Sequence, residues 1–476
     1  MLGLFGTLNL AKRSLQTQQQ GIEVTGHNLA NVNNPAYARQ RVSIQTSSTV
    51  PTRVGPQGNG ANVVSIQQLR SGLVDRQLQT EVSVTAFLES RQTALQYAQA
   101  NLGQQIDSKS FGAEGPAAAN GISGQHGIAE SLSDLFAGFQ GVANSPASPD
   151  QRQSLLVKAQ GLAGQFNQVD RRLSALHSDL NDSLQADIGS ANQLMDQIAH
   201  LNDRITNSEN GSTGVANDLR DERQQKVEEL AKLVNIETVV GDNGSLDVSI
   251  GGLSIIAGKQ VVDNLETYDA GDGQLLVRTR TAQSPLTLTS GSAQGTIDAR
   301  DGAVASLRSS LDRVASLLIS VVNQVHGSGF GLTGSTGADF FTGTNAATIK
   351  VNSSLMNNPA LVQAAGVAGA VGDNQVANKL AALANQQLSG LSNQTFSGSY
   401  GQLVASLGEK LSATNDDLGT QKAVEGLLMR QRDSVSGVSL DEEMTELTKF
   451  QKAFTASARI VTTIDEMFDT VLNLKR

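Results

Sequence analysis

The chain has 476 residues with 35 basic and 45 acidic side chains, for a formal net charge of −10; this length allows several domains with at least one sizeable core. It contains no Cys, which excludes disulfides, thiolate zinc sites and cysteine nucleophiles. The sequence has no basic stripe interleaved with aromatic residues and no apolar run of the roughly 18 residues that a membrane helix needs, so we expect no nucleic-acid partner and no membrane insertion.

The first predicted element is a helix over residues 3–31. Apolar residues recur in it at intervals of seven, the pattern of a coiled-coil seam; they are Leu8, Leu15, Ile22 and Leu29. Proline disfavours helix in the residue before it, so Asn33-Asn34-Pro35 is expected to end this helix. Lys12 and Arg13 follow the short apolar start, which is the wrong order for a cleaved signal peptide.

Helical patterns dominate the middle of the chain. The longest begins at a good N-terminal cap, Ser148 followed by Pro149. It runs for about fifty residues, as one helix or as two in line with a break near Gly189. Further helical patterns cover about 66–107, 216–234, 303–326, 375–390 and 400–432.

Between about 235 and 300 the pattern changes to that of short strands. The turn sequences Asp242-Asn243-Gly244 and Gly271-Asp272-Gly273 punctuate β-rich segments there. We predict a small β domain inserted into the helical body. A second extended stretch, 340–351, follows a glycine-rich segment.

The C-terminal sequence mirrors the first helix. Ser439 to Glu442 is the pattern of a capping box. Two rows of sevens follow, Leu440, Leu447, Phe454, Val461 and Phe468 in one and Phe450, Ile464 and Val471 in the other. Because polar residues interrupt the seams, we expect both ends to be loose in the monomer and to become ordered when neighbouring subunits supply the missing faces.

The predicted fold is mainly α with an inserted β domain, an α+β multidomain chain. It comprises paired N- and C-terminal coiled-coil helices, a body of bundled long helices and a small β-rich outer domain. We assign residues 1–55 with 434–476 to the terminal coiled-coil domain, 56–234 with 303–433 to the rod-like helical body, and 235–302 to the outer domain.

No arrangement of residues predicts catalysis. The histidines show no metal-ligand spacing, and we predict that all five lie on the surface or at interfaces; they are His27, His126, His177, His200 and His326. No nucleophile elbow or phosphate-binding loop is present. The Asp-Gly turns lack the later Glu of a calcium-binding EF-hand. We therefore expect no enzymatic activity, no cofactor and no metal.

The segment after the first helix resembles a known signature. From residue 28 to 40 it is similar to the sequence in flagellar rod, hook and hook-associated proteins, and the matching residues are Asn28, Asn31, Asn33, Pro35, Tyr37, Arg39 and Gln40. That family usually has Thr in place of Asn34 and Gly in place of Ala36. Segments 437–459 and 464–469 resemble the C-terminal motif of the first hook–filament junction proteins within the family. Segments 144–152 and 322–341 are similar to parts of their body helices.

This resemblance implies a structural protein of the bacterial flagellum that forms a ring between hook and filament. It implies an extracellular location reached by type III export without a cleaved signal peptide. The implied partners are other copies of the chain, the hook protein, the second junction protein, and an export chaperone at the C-terminal helix. We predict that the terminal seams carry assembly, although each residue is equally compatible with intramolecular core: Leu8, Leu15, Ile22, Leu29, Leu440, Leu447, Phe450, Phe454, Val461, Ile464, Phe468 and Val471.

Two alternative classes stay open at this point. A hook or distal-rod protein shares the N-terminal signature, but it is expected to lack the long helix from residue 150 and the ending at 441–444. A non-flagellar coiled-coil or adhesin-type surface protein needs a receptor-binding domain, for which only residues 235–300 qualify. A wall hydrolase is a more distant third alternative, because no acid–base pair of residues stands out.

Overall fold

The computed structural model describes residues 3–52, 55–102, 127–210, 214–271 and 273–473. His126 and Asp272 lie outside the described residues. The helices are α1 (Leu4–Ala30), α2 (Gly72–Asn101), α3 (Ile128–Asn144), α4 (Pro149–Glu209), α5 (Asn217–Leu233), α6 (Ser292–Asp298), α7 (Ala305–Gly327), α8 (Ser353–Asn357), α9 (Gln375–Ala382), α10 (Phe396–Ser436) and α11 (Leu440–Asn473). A π-helical turn, Ala299–Val304, joins α6 to α7.

The strands are short and antiparallel. They are β1 (Gln40–Thr46), β2 (Val50–Thr52), β3 (Gly55–Gln57), β4 (Ala61–Gln68), β5 (Glu237–Val240), β6 (Leu246–Ile250), β7 (Leu253–Ala257), β8 (Gln260–Val261), β9 (Leu265–Asp269), β10 (Leu275–Thr279), β11 (Phe341–Thr342) and β12 (Lys350–Val351). Strands β5 to β8 form one four-stranded sheet in chain order, and the other strands pair in twos. The predicted mainly α fold with a β-rich insertion is confirmed.

The first and last helices pack against each other in antiparallel orientation. The Ser14 and Ser457 hydroxyls lie 2.7 Å apart, and the rings of Phe5 and Phe468 have centroids 5.0 Å apart. Gly21 lies against the ring of Phe450 so closely that a side chain at this position would overlap it. Both helices were predicted from their heptads, and α1 differs from the predicted limits by one residue at each end.

Helix α4 is continuous over 61 residues. The Gln151 N–H donates to the Ser148 hydroxyl at its start, as the sequence predicts. No break occurs at Gly189, which is exposed, because the neighbouring Ile188 and Ala191 are buried and keep this part of the helix packed on the core. A glycine in a helix costs only about 1 kcal/mol relative to alanine, and packing of this kind offsets it.

Two buried hydrophobic clusters form the cores of the body. The first joins the N-terminal half of α4 to α3, α7, α9 and α10. The second joins the C-terminal half of α4 and α5 to strands of the β-rich region, and includes Leu184, Val227, Val248 and Val277. Helix α4 therefore contributes to both cores.

One prediction is wrong at its N-terminal limit. The helical pattern assigned to 66–107 begins too early, because residues up to Gln68 belong to β4, which pairs with β1. The helix itself, α2, starts at Gly72 and ends at Asn101. Residues 103–107 lie outside the described part of the chain. The β1–β4 hairpin packs against α1, where the Thr17 hydroxyl donates to the Ala61 carbonyl at 3.0 Å.

The prediction that every histidine lies on the surface or at an interface is also wrong. His27 and His200 are exposed and His177 is half-buried, but His326 is fully buried. Its Nδ1 lies 2.7 Å from the Ala338 carbonyl, and its Nε2 accepts the Gln363 N–H at 2.9 Å. The neutral ring therefore joins the end of α7 to two later loops.

Acid is expected to destabilise the body through His326. Burial lowers the pKa of His326 to about 4 from 6.5, since a charged ring loses its water and cannot accept from Gln363. Between these values the unfolded chain binds a proton that the folded chain does not. Stability that is fully present above pH 6.5 should fall by up to roughly 3 kcal/mol as the pH drops through 4. Urea unfolding across this range measures the loss, and a His326→Gln variant with an unchanged pH dependence would contradict it.

Candidate functional site

The residues predicted to carry assembly lie along the contact between α1 and α11, but most of them stay half-buried. All four on α1 have intermediate exposure, and so do Leu447, Phe450, Phe454, Val461 and Phe468. Ile464 alone among the twelve is buried, at 3% exposure. A pair of helices covers only one side of each seam, so this contact leaves apolar surface that further helices can bury.

The two ends of the C-terminal seam have no partner on α1. Leu440 and Val471 are both 53% exposed. Helix α11 has 34 residues and α1 has 27, and the antiparallel register places Leu440 and Val471 beyond the ends of the shorter helix. Helix α1 therefore covers neither of them, and their assignment to the seam stays a prediction.

The different burial of Ile464 and Val471 predicts contrasting effects of two matched substitutions. Ile464→Ala should weaken the α1–α11 contact by about 2–5 kcal/mol, because it removes buried apolar volume. Val471→Ala should change it by no more than about 0.5 kcal/mol, since the side chain is exposed. Amide hydrogen exchange along α11 measures both effects. Equal protection of the α11 amides in the two variants would contradict the different burial of Ile464 and Val471.

Helix α11 carries a further apolar row that the heptad reasoning missed. Ile460 and Met467 are 44% and 50% exposed and lie outside the predicted seam, while Met444, at 48%, lies on the opposite flank of that seam. The sequence contains a signal for this row, since Ile460 and Met467 follow Ala453 at intervals of seven. An apolar face wider than a single seam is typical of a helix that contacts more than one neighbour.

The signature segment is built around Asn28, which is 1% exposed. Its Oδ1 accepts from the Gln40 N–H at 2.9 Å and from the Tyr37 hydroxyl at 2.8 Å. Its Nδ2 donates to the Gln40 carbonyl at 2.9 Å and to Glu443 Oε2 at 3.0 Å. One side chain thus connects the end of α1, the start of β1 and the first turn of α11.

Arg39 makes a second connection to α11. Its Nη1 lies 2.6 Å from Glu442 Oε2, and its Nε lies 2.7 Å from Glu443 Oε1. The sequence pattern predicts a capping role for Glu442 at the acidic start of α11. In the structure Glu442 and Glu443 both pair with the signature arginine, a role that no local pattern reveals.

Gln40 and its neighbours connect the terminal helices to α5 of the body. The Gln40 Nε2 donates to Asp218 Oδ1 at 2.8 Å, and the Ala38 N–H donates to Asp221 Oδ2 at 3.1 Å. Burial raises the pKa of Asp221 to about 6. Burial, followed by the charge of Asp218, also raises the pKa of Tyr37 above its usual value.

The other signature residues shape the turn itself. The Asn31 Nδ2 donates to the His27 carbonyl at 3.0 Å. Asn34, where the family usually has Thr, accepts the Ala36 N–H at 3.1 Å. Ala36 does not adopt a positive φ, so the absence of the family's usual Gly causes no strain here. Asn33 and Pro35 are exposed.

The described ranges contain no group of three His, Asp or Glu side chains that could hold a metal ion. Among the described helices, none has the length and apolar character needed to cross a membrane. The signature residues thus form hydrogen bonds and ion pairs that fix three parts of the chain at one point. Their arrangement is that of a structural joint.

Two family models match the chain. One, described as "Flagellar hook-associated protein FlgK helical domain", matches residues 121–341. The other, described as "Flagellar basal body rod FlgEFG protein C-terminal", matches residues 429–474 and so includes α11. The body and the terminal helix thus match flagellar proteins independently.

Curated relatives match over nearly the whole length. Flagellar hook-associated protein 1 of Bacillus subtilis (strain 168) is 26% identical over 99% of this chain and 99% of its own. The proteins of that name from Salmonella typhimurium (strain LT2) and Escherichia coli (strain K12) are each 23% identical over 98% of this chain and 99% of theirs. The structure of the flagellar hook junction protein FlgK from Burkholderia pseudomallei shares the fold, with a TM-score of 0.62 and 17% identity over 76% of this chain and all of that one.

The paired terminal helices, the helical body and these matches define an axial structural protein of the bacterial flagellum, not an enzyme. Within that class, the chain is similar over nearly its whole length to flagellar hook-associated protein 1.

Proposed function

We propose that the chain forms the junction between hook and filament by self-assembly through its terminal helices, as a structural part of the external flagellum. The observation that carries this proposal is the α1–α11 pair, whose seam stays half-buried beside an uncovered apolar row on α11. Burial of apolar surface contributes roughly 25 cal/mol per Å². Neighbouring copies that cover these faces therefore stabilise both the ring and the terminal helices.

The individual partners are part of the same proposal. They are other copies in the ring, the hook protein on one side, the second junction protein on the other, and an export chaperone on α11 before assembly. The exposed residues Met444, Ile460 and Met467 support a partner on α11. We also propose that the chain is exported through the flagellar type III channel without a cleaved signal peptide.

The domain division is likewise proposed. Residues 1–55 with 434–476 form the terminal coiled-coil domain, 56–234 with 303–433 form the body, and 235–302 form the outer domain. The separate packing of the terminal helices and the continuous sheet β5–β8 support it.

Deletion of the gene in the source bacterium, followed by electron microscopy and an assay of flagellin in the medium, tests the function. We expect hooks without filaments, flagellin lost to the medium, and no motility. Cells without hooks would assign the protein to the hook or rod instead. Normal filaments and motility would overturn the flagellar proposal.

A further inference from the structure

The terminal unit, defined as α1, the signature segment 31–39, β1 to β4 and α11, shares no hydrophobic core with the body in the described part of the chain. Neither buried cluster includes a residue of these elements. The extensive packing of α1, the hairpin and α11 is with one another. Domains that meet through small polar contacts are expected to move relative to each other, unlike domains joined by a large apolar interface.

Both chain crossings between the two units are held by the backbone of Arg39. The chain leaves the terminal unit after β4 and returns to it between α10 and α11. The Arg39 N–H donates to the Ser436 carbonyl at 2.8 Å, and the Arg39 carbonyl accepts the Leu69 N–H at 2.8 Å. The backbone of one residue therefore hydrogen-bonds to both connections between the terminal unit and the body.

The linker between α10 and α11, where the chain returns to the terminal unit, allows no side chain at Gly437 and lies beside an open cleft. Gly437 follows the last turn of α10, where a Cβ would overlap the Asp433 carbonyl. An open cleft of about 550 Å³ lies between the signature segment and the end of α10 with the linker after it, and its lining includes Pro35, Arg432 and Gly437. This space leaves room for the two units to rotate relative to each other.

The start of α5 holds the terminal unit at a second place. Asp218 in the first turn and Asp221 in the second accept from Gln40 and Ala38, at 2.8 and 3.1 Å. Because both acceptors lie close together at one end of a rigid helix, a small rotation of the terminal unit separates both pairs at once.

A third residue at the start of α5, Asn217, makes a reciprocal contact with the end of β4. The Asn217 carbonyl accepts from Gln68 Nε2 at 2.7 Å, and the Asn217 Nδ2 donates to the Ile66 carbonyl at 3.0 Å. We call Asn217, Asp218 and Asp221 the α5 latch. Its contacts are hydrogen bonds of modest net worth, about 0.5–1.5 kcal/mol each, so they can be exchanged for water.

We propose that the terminal unit rotates on the body about the backbone of Arg39, and that the α5 latch holds one of its orientations. The inference rests on the proposed function for its purpose: a ring that contacts the hook on one side and the filament on the other needs subunits whose terminal unit and body can adopt different angles. Release of the latch changes that angle without unfolding either unit. Because Asp218 is largely exposed, water can replace its hydrogen bond to Gln40 when the latch opens.

The absence of Cys in the native sequence allows a direct test on the full-length purified protein. Spin labels are attached at Gln20→Cys on α1 and Ser190→Cys on α4, both exposed positions, and pulsed dipolar spectroscopy gives the distances between them. Removing the side-chain contacts of the latch with Asn217→Ala, Asp218→Ala and Asp221→Ala should broaden the distance distribution roughly two-fold. A control pair within the body, Ser190→Cys with Ser412→Cys, should not change.

Asp221 also lies 3.4 Å from Arg70, so its substitution removes an ion pair as well as a latch contact. A second variant that keeps Asp221 separates the two effects. Gln40→Ala plus Gln68→Ala removes two of the four latch hydrogen bonds from the opposite side and should also broaden the distribution. A distribution as narrow in both variants as in the native chain would overturn the hinge. An equally broad distribution in the native chain would overturn the latch. Neither result bears on where the protein assembles, which the gene deletion tests separately.

Discussion

Replacing Asn28 by alanine is expected to weaken the terminal unit by on the order of 3–5 kcal/mol. The substitution removes four hydrogen bonds at a position that is 1% exposed. It leaves the backbone N–H and carbonyl of Gln40, the Tyr37 hydroxyl and the Glu443 carboxylate without this partner. Most of the cost comes from these groups staying buried, because water cannot easily replace the lost amide.

The loss should be local. Since the terminal unit shares no hydrophobic cluster with the body, amide hydrogen exchange should speed up in α1 and α11 and stay unchanged in α4. Asn31→Ala is the matched control, since it removes one exposed hydrogen bond in the same segment, and it should cost no more than about 0.5 kcal/mol. Similar exchange in the two variants would contradict the central role of Asn28.

A third variant separates the hydrogen bonds from the cavity that alanine creates. Asn28→Asp keeps the shape and the acceptor toward Gln40 and Tyr37, but it places a second carboxylate against Glu443. Like charges this close repel strongly in a buried site. We expect this variant to be destabilised at neutral pH and to recover partly in mild acid, and a pH-independent effect would contradict this explanation.

The helices were largely predictable because their signals are local. The heptads of α1 and α11 and the cap at Ser148 depend on residues that are close in sequence, and the structure has helices at all three places. Whether α4 breaks at Gly189 could not be decided in this way. The answer depends on the burial of Ile188 and Ala191 by parts of the chain more than thirty residues away.

The β1–β4 hairpin shows the opposite case. Val42 and Ile44 alternate with polar residues, which is a period-two signal. The segment is nevertheless short, and its partner strand ends at Gln68, where the helical pattern had been assigned too early. Strand pairing is a non-local property, so the register that brings Gln40 to the α5 latch was not accessible from the sequence.

For the candidate site, the family resemblance identified the residues but not their contacts. Asn28, Arg39 and Gln40 were selected as parts of a signature, and the structure places each of them in a network of hydrogen bonds or ion pairs. Their partners Glu443 and Asp218 lie more than 170 residues further along the chain. The assignment of the seam to assembly, and the domain limits, stay predictions.

Removal of residues 437–476 is expected to abolish incorporation into the flagellum while the body stays folded. Neither buried cluster of the body contains a residue beyond Leu407, so its thermal unfolding should be preserved. Helix α1 loses its partner, including the ring of Phe450 that packs on Gly21, and the apolar row on α11 is lost as well. The truncated chain then lacks the two faces that we propose for assembly, which are the seam between α1 and α11 and the apolar row on α11.

The measurement is complementation of the gene deletion, with filaments counted by electron microscopy and the purified chain followed by thermal unfolding. A chain that ends at Asn473 is the control, because it keeps the whole of α11, including all of its predicted assembly residues. It should restore filaments. Filaments restored by the longer truncation would show that assembly does not depend on α11. Loss of the body's own unfolding transition would show that the terminal pair stabilises the body, contrary to the separate cores described above.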